Sequence, residues 1–464
     1  MFDPAFPLAR IEPAPYNLRA IEPGALEGLA RSLLVLGFCK PLLVTTAGLL
    51  VAGHQRVRVA RQLGMQAAPA WVLAGVTEAD EVTFNQLHNG ADLEAPDLAV
   101  RVPPSSALGF ERVLPADIEG PPRSPGAQVR ATLCQLVLRY GAFGAAVATQ
   151  SGAVVASPHY ALACRQLGRP CRVYRLPDAL EGEAREAFGR PYGAFAYGHL
   201  PRSPWMQTLA QMHRLREGER SYGSTLYEKC ILPVLGPAER LLDFGAGQGD
   251  YLRRLRAEGR PAWGVEPYLR AGHRLDPHGA RALADEALAE LAAHGPFDVV
   301  VADAVLNSVD SLAAERDVLL ALAALCRPGG RIYLSGRRRE GEAKYQASER
   351  VGERRPVQRM KFLDADGFTA THRGGAWFYQ RLHRDEEVRA LAVDPFGDHD
   401  ARPRALNGTN AWQLVVRPRR VLPDEALEGA LRREFDLPLP GGECLGRGEA
   451  AVTAWREGRR RQAA

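Results

Sequence analysis

A chain of 464 residues is too long for one ordinary core, so two or three domains are expected. Its composition, 46% hydrophobic and 24% charged with a formal net charge of +5, is that of a soluble globular protein, and no run of eighteen apolar residues is present to cross a bilayer. The opening MFDPAFPLARIEP lacks the layout of a signal peptide, and the seven scattered cysteines form no CxxC pair, so neither a metal site nor a disulfide framework is expected and a reducing cytoplasm is.

Taken from the N-terminus, Leu29–Leu36 reads as an amphipathic helix stopped by Gly37. Pro41–Thr45 and Leu49–Val51 read as strands about a TAG turn, and Arg56–Leu63 as a second helix. A stretch holding seven prolines, Pro96 to Pro125, reads as a linker. Beyond it the pattern recurs. Leu29–Gly64 aligns without a gap to Leu133–Gly168 at a constant offset of 104, with eleven of 36 positions identical. About three would be expected by chance, so duplication is the better account.

The junction AGHQRVRVARQLG ends a strand and opens a helix, which sets His54, Gln55 and Arg56 at a helix N-terminus where free amides and the dipole favour an anion. With Arg58 added, a phosphate is the natural guest; solvated arginines on an ordinary turn are the alternative. The first 90 or so residues resemble the N-terminal domain of the ParB/sulfiredoxin-like superfamily. The matching features are Tyr16-Asn17-Leu18-Arg19, the helix before Gly37, the strand opened by Pro41 and the Gly-x-x-Arg turn Gly53–Arg56. That resemblance implies binding of CTP or another nucleotide through Gly53, His54, Gln55, Arg56 and Arg58. The family's Gly-Glu-Arg-Arg here has His54 and Gln55 in its middle, and its Glu-Asn motif has become Phe84-Asn85, so the implication does not extend to CTP hydrolysis. The turn carries no cysteine, which excludes sulfiredoxin chemistry. In the second copy the turn is Ser157-Pro158-His159-Tyr160, where Pro158 removes an amide donor and no arginine remains. That copy is expected to be a structural pseudo-repeat.

From Arg240 the pattern changes. RLLDFGAGQGDYLRRLRAEG reads as an apolar strand ending near Asp243, a turn with Gly245, Gly247 and Gly249, and a basic amphipathic helix. Glycines let backbone approach a ligand and adopt positive φ, but the triplet alone would suit NAD equally. WGVEP then ends a strand in Glu266, about 20 residues on, where a carboxylate can accept both ribose hydroxyls of an adenosyl ligand. GPFDVVVADAVLNSVDS and LCRPGGRIYLSG follow. Together these segments resemble the class I S-adenosylmethionine-dependent methyltransferases, with their acidic D/E-x-G-x-G-x-G signature. The resemblance implies S-adenosylmethionine (SAM) as cofactor, Asp243 supporting the loop around its methionine moiety, Asp303 at the tip of the fourth strand, and Asp285 at the adenine edge. The fold class expected is α/β: a C-terminal doubly wound Rossmann-like methyltransferase domain (222–420) behind two small α+β ParB-like modules (1–95 and 127–188, the second degenerate). Linkers are expected at 96–126 and 189–221, an antiparallel edge strand at Ala411–Pro418, and a charged peripheral tail over 421–464.

Methyl transfer from a sulfonium needs a positioned nucleophile and a route for its proton. The D/N/S-P-P-aromatic motif of amino methyltransferases is replaced by Ala302-Asp303-Ala304-Val305-Leu306-Asn307, and the Pro-Cys of cytosine-C5 enzymes is absent. Asp303 and Asn307 remain as catalytic candidates; Asp303 reads equally as a cofactor-side residue and Asn307 as a helix cap. Between Arg331 and Lys361 ten Lys/Arg oppose four Glu, an excess of six positive charges. Such a run is a solvated face or a polyanion-binding loop, the latter through Arg337, Arg338, Arg339, Arg354 and Arg355. The V-L-N-x-V run also resembles methyltransferases of bacterial and phage DNA modification. DNA, including DNA that already carries a modified base, is therefore the expected acceptor. DNA and a second copy of the chain are the expected partners, and a membrane is not. Two rivals stay open: methylation of RNA, a small molecule or a protein, and a nucleotide-gated DNA-binding protein that uses SAM as a ligand.

Overall fold

The computed structural model describes residues 1–14, 19–77, 80–81, 83–84, 98–121, 127–189, 194–198, 200, 223–272, 274–341, 361–373, 376–406, 410–439 and 442–463. They form two compact units, one built mainly from residues 1–200 and the other mainly from 201–464. Among the described residues no helix is long and apolar enough to cross a membrane.

The N-terminal unit is a duplicated module. In the first copy β1 (Phe2–Pro7), β2 (Glu12–Pro13), β3 (Arg19–Ala20) and α1 (Pro23–Leu36) precede β4 (Leu42–Thr45), β5 (Leu49–Ala52), α2 (His54–Gln62) and β6 (Ala67–Leu73). In the second, β7 (Gly109–Val113) and α3 (Ala127–Tyr140) precede β8 (Ala146–Thr149), β9 (Val154–Ala156), α4 (Pro158–Gln166) and β10 (Cys171–Leu176), followed by α5 (Glu181–Gly189) and β11 (Ala194–Phe195). The sheets run β1-β6-β4-β5-β2 and β7-β10-β8-β9, and the paired directions agree strand for strand. Adding 104 to the bounds of α1, β4 and α2 gives those of α3, β8 and α4. Leu43, Val51 and Phe84 of the first copy share one core with Val129, Ala146 and Val173 of the second, and the Trp71 indole N–H donates to the Gly144 carbonyl at 2.8 Å.

The expected linker at 96–126 is corrected by this sheet. Its prolines bracket β7, which contains none, so β7 pairs antiparallel with Cys171–Arg175 while Val100, Val102 and Ile118 enter the core. The repeat also duplicates a backbone constraint. Gly48 and Gly152 hold φ of +90° and +95°, and a Cβ on either would strike a carbonyl oxygen, that of Arg10 or Val102.

The C-terminal unit has a six-stranded sheet. Its elements are β12 (Leu241–Phe244), α6 (Asp250–Ala257), β13 (Ala262–Val265), the small ribbon β14 (Arg270–Ala271) and β15 (Arg274–Leu275), α7 (Pro277–His294), β16 (Phe297–Asp303), α8 (Leu312–Leu325), β17 (Cys326–Arg337), β18 (Phe368–Arg373), β19 (Ala376–Arg381), α9 (Asp385–Phe396), β20 (Arg404–Ala405), β21 (Ala411–Val416), α10 (Asp424–Glu434) and α11 (Gly448–Ala463). The order is β13-β12-β16-β17-β21-β20, with the first four parallel and the last two antiparallel. This is the doubly wound Rossmann-like sheet expected, except that β20 lies outside β21, so β21 is not the edge. Helix starts follow local chemistry: Asp276 caps α7 by accepting from the Gly279 N–H at 2.9 Å ahead of Pro277, and Ser311 caps α8 through the Ala314 N–H at 3.2 Å. The tail is not peripheral. Leu427, Ala430 and Leu431 of α10 and Ala451, Val452 and Trp455 of α11 are buried, against α8 and α7 respectively.

Gly152→Ala is expected to destabilise the N-terminal unit by about 2–4 kcal/mol, because strain and a backbone clash coincide. At Gly168, where φ is +61° but space is open, alanine should cost about 1 kcal/mol. Calorimetric melting of the two variants checks the order.

Candidate cofactor site

β12, β13 and β16 end side by side, and each delivers a carboxylate to the same edge of the sheet: Asp243, Glu266 and Asp303. Asp243 and Glu266 are 5% and 2% exposed. The strand order reverses between β12 and β16, which is where a doubly wound sheet opens a crevice for a ligand. After β12 the chain turns through Gly245, Gly247 and Gly249, with φ of +84°, +61° and +72°. A Cβ on Gly245 would stand 2.6 Å from Val305 Cγ2, so this residue has to be glycine twice over. Glu266 ties the turn down: its Oε2 accepts from the Gly247 N–H at 2.8 Å and its Oε1 from the Tyr268 N–H at 3.0 Å.

Burial pushes the Asp243 carboxyl up to about 7, with Asp303 and Glu266 adding to the rise. A short π-helical segment, Tyr227–Ile231, brings the Tyr227 hydroxyl to face Asp243. That hydroxyl is buried, and burial together with Asp243 holds it far above the usual phenol range. Tyr227 stacks on Tyr251 at 4.0 Å between ring centroids. No sequence motif had pointed to it; the aromatic pair Tyr227 and Tyr251 around the glycine turn was the available signal. Asp303 accepts from the Ser335 hydroxyl, whose oxygen accepts from the Ala304 N–H at 2.9 Å. Ala304 is held at φ +63°, and this bend swings Val305 over the glycine turn.

Two expected roles are corrected here. Asn307 is 5% exposed and is engaged between two strands rather than facing an acceptor or capping a helix: its amide donates to the Arg381 carbonyl at 2.8 Å and its oxygen accepts from the Arg337 N–H at 2.9 Å. Asp285 does not reach the adenine side. It lies half-exposed on α7 with both oxygens on the Arg447 guanidinium, at 2.5 and 2.9 Å.

In the N-terminal unit Gly53 caps α2 at φ +107°. The guanidinium of Arg56 turns back to the Lys40 and Pro41 carbonyls and over the Phe38 ring at 5.7 Å, so it braces the preceding loop. His54 Nε2 accepts from the Ala14 N–H at 3.2 Å, and burial with Arg56 lowers the imidazole to about 4. Burial and Arg56 likewise bring Lys40 down to about 7. Gln55 is half-buried and Arg58 exposed. Phe84 belongs to the core, 4.5 Å from the Phe143 ring centroid, and Asn85 lies outside the described residues, as do Tyr16, Asn17 and Leu18. In the second copy Ser157 keeps the left-handed turn at φ +57°, and His159 is 1% exposed with neither ring nitrogen hydrogen-bonded. Of the basic stretch, Arg338 is paired with Asp385 and the Arg337 N–H is held by Asn307; Arg354 and Arg355 lie outside the described residues.

A family model described as a methyltransferase domain matches residues 214–382. The N-terminal region is similar to the ParB-like nuclease domain-containing protein YnaK of Escherichia coli (strain K12), 33% identical over 72 residues that cover 16% of this chain and 83% of YnaK. The chain is a ParB-like protein fused to a SAM-dependent methyltransferase. Among solved structures the fusion protein is similar to a SAM-dependent methyltransferase from Methanosarcina mazei (18% identity, 40% of this chain and 95% of that one, TM-score 0.27). It is also similar to the glycopeptide N-methyltransferase MtfA complexed with S-adenosylhomocysteine (19%, 47% and 99%, TM-score 0.28).

The residues fit the cofactor. SAM carries a sulfonium and an ammonium, and three clustered carboxylates with a buried tyrosine hydroxyl facing one of them are suited to a cation. Bound there, SAM supplies an activated methyl group. The residues that would hold it are Gly245, where backbone could come close, Glu266, whose carboxylate could accept ribose hydroxyls, and the buried Asp243, suited to positive charge.

Ionising Asp243 in the empty domain is costly, so stability should fall as the pH rises from the ordinary carboxylate range through about 7. A cationic ligand reverses this. SAM affinity is expected to rise between pH 6 and 7.5, by at most about tenfold per pH unit, with release of a proton on binding. Titration calorimetry in two buffers checks it: Asp243→Asn should flatten the profile, and a flat wild-type profile would contradict the assignment.

Proposed function

We propose that the methyltransferase acts on DNA, including duplex that already carries a modified base, and that the ParB-like modules act as its nucleotide- or DNA-responsive part. The observation that carries this reading is the placement of charge. The stretch with six excess positive charges begins on β17, where Arg331 is paired with Glu239, and its Arg337 to Arg339 lie at the end of that strand, at the carboxyl edge of the sheet that also bears Asp243, Glu266 and Asp303. A polyanion approaching the methyl donor from that edge would meet cations first. A ParB-like module in the same chain supports the same direction.

The turn at Gly53–Arg56 enters this reading as a phosphate site for CTP or another nucleotide. The amides of the first turn of α2 and the exposed Arg58 are the groups suited to the phosphate, while Arg56 braces the loop. Arg58→Ala is therefore expected to weaken CTP binding about tenfold without a loss of stability, whereas Arg56→Ala should also lower the melting temperature. Equal CTP binding by wild type and Arg58→Ala would remove the nucleotide from the proposal.

The acceptor is tested by transfer of a labelled methyl group to unmodified and phage-modified duplex DNA, with RNA and cell-extract metabolites alongside. Label should appear in a DNA nucleoside after digestion and fall at least about a hundredfold in Asp243→Ala. Label confined to RNA, protein or a small molecule would overturn the DNA reading and leave the basic stretch a solvated face.

A further inference from the structure

The C-terminal extension lies beyond residues 214–382, which the methyltransferase family model matches, yet it reaches the cofactor crevice. Arg433 anchors α10 to Asp317 of α8, and the chain after α10 is pinned to α7 by Arg281, which donates to Glu443 at 2.8 Å and to the Cys444 carbonyl at 2.9 Å. Between these anchors Phe435 is fully buried with its ring 6.4 Å from that of Phe244, the residue immediately before Gly245. The Pro438 carbonyl accepts from the Tyr268 hydroxyl at 3.3 Å, and Tyr268 is the residue whose N–H holds Glu266. Glu434 is buried within electrostatic reach of Tyr268.

We propose that this extension completes the cofactor site, with Glu434 reading the adenine edge of SAM beside Tyr268 and with Phe435 and the Pro438 carbonyl fixing the wall behind it. The chemistry is complementary. The adenine edge offers one acceptor nitrogen and one amino donor, and a protonated carboxyl offers one donor and one acceptor. Burial, with Asp317 and Asp310 nearby, raises Glu434 to about 8 against the opposing pull of Arg433, so the acid is protonated at neutral pH. The charged and titratable groups around it are these three and Tyr268. The role assigned from sequence to Asp285 thus passes to an acid from the far end of the chain. The inference is independent of the acceptor, so its failure would leave the DNA reading untouched.

The test uses the full-length protein with 5′-methylthioadenosine as probe, which lacks the methionine ammonium and so avoids the Asp243 effect. Glu434→Ala is expected to weaken binding about tenfold or more, while Glu434→Gln, which keeps a donor and an acceptor, stays within about threefold of wild type. Wild-type affinity should fall above about pH 8, where Glu434 ionises, and Glu434→Gln should not follow it. Arg432→Ala, on the exposed side of the same helix and paired with Glu449, is the control and should bind as wild type. A folded Glu434→Ala that binds the probe normally would overturn the proposal. So would equal losses in the two Glu434 variants, or a pH profile shared by wild type and Glu434→Gln. If Glu434→Ala does not fold, the comparison of wild type with Glu434→Gln across pH still decides.

Discussion

Burying acids at one edge of a parallel sheet is unfavourable unless something offsets the loss of hydration, and the C-terminal unit is organised around that cost. Glu266 is offset by two backbone N–H donors and Asp303 by the Ser335 hydroxyl. Asp243 is offset least, which is why its proton is held to about pH 7. The least offset of the three, Asp243, is also the one best suited to a donor carrying a sulfonium and an ammonium. Affinity for the cofactor and instability without it are then one property seen from two sides.

The N-terminal unit is governed by a backbone constraint instead. Each copy of the module needs glycine where its β-hairpin passes under another segment's carbonyl, and both copies have it, at Gly48 and Gly152. At the neighbouring turn the copies diverge. Ser157 stands where the first copy has Gly53 and still holds the left-handed conformation, so the geometry of the strand-to-helix turn is common to both copies while its residues differ. Pro158 took one amide and His159 was drawn inside. A turn retained without those groups is what a copy kept for packing would show, and its share in a common core with the first copy gives it that use.

Features encoded in one dimension were legible in the sequence. The acidic strand ends, the glycine turn and the 104-residue offset are all spacings, and the structure follows them nearly residue for residue. What could not be read was side-chain direction. Arg56 has the position of a phosphate ligand but bends back to its own loop; Asn307 has the position of an acceptor-facing amide but bridges two strands; Asp285 has both oxygens on the Arg447 guanidinium. Helix phase and long-range partners such as Arg447 decide these, and neither is local. The tail misled for a related reason. Its charge is real but confined to one face, and the stripe Leu427, Ala430, Leu431 and Glu434, at helical spacing, is the face that packs.

That stripe bears on how the two kinds of charge are arranged in this enzyme. The crevice is lined with carboxylates contributed by three strands and, through Glu434, by the extension, while the basic stretch starts outside it on β17. If the acids were at the rim they would repel a nucleic acid, and if the arginines were inside they would repel the donor. Separating them by depth would let a cationic cofactor and the proposed polyanionic acceptor use one sheet edge. The separation requires that the acids be buried deeply enough for their field not to reach the rim. An extension packed over the crevice lowers solvent access and so tightens that partition, while burial raises the proton affinity of Asp243 and Glu434. The elevated Asp243 and Glu434 are, on this account, the measurable trace of keeping the two charges apart.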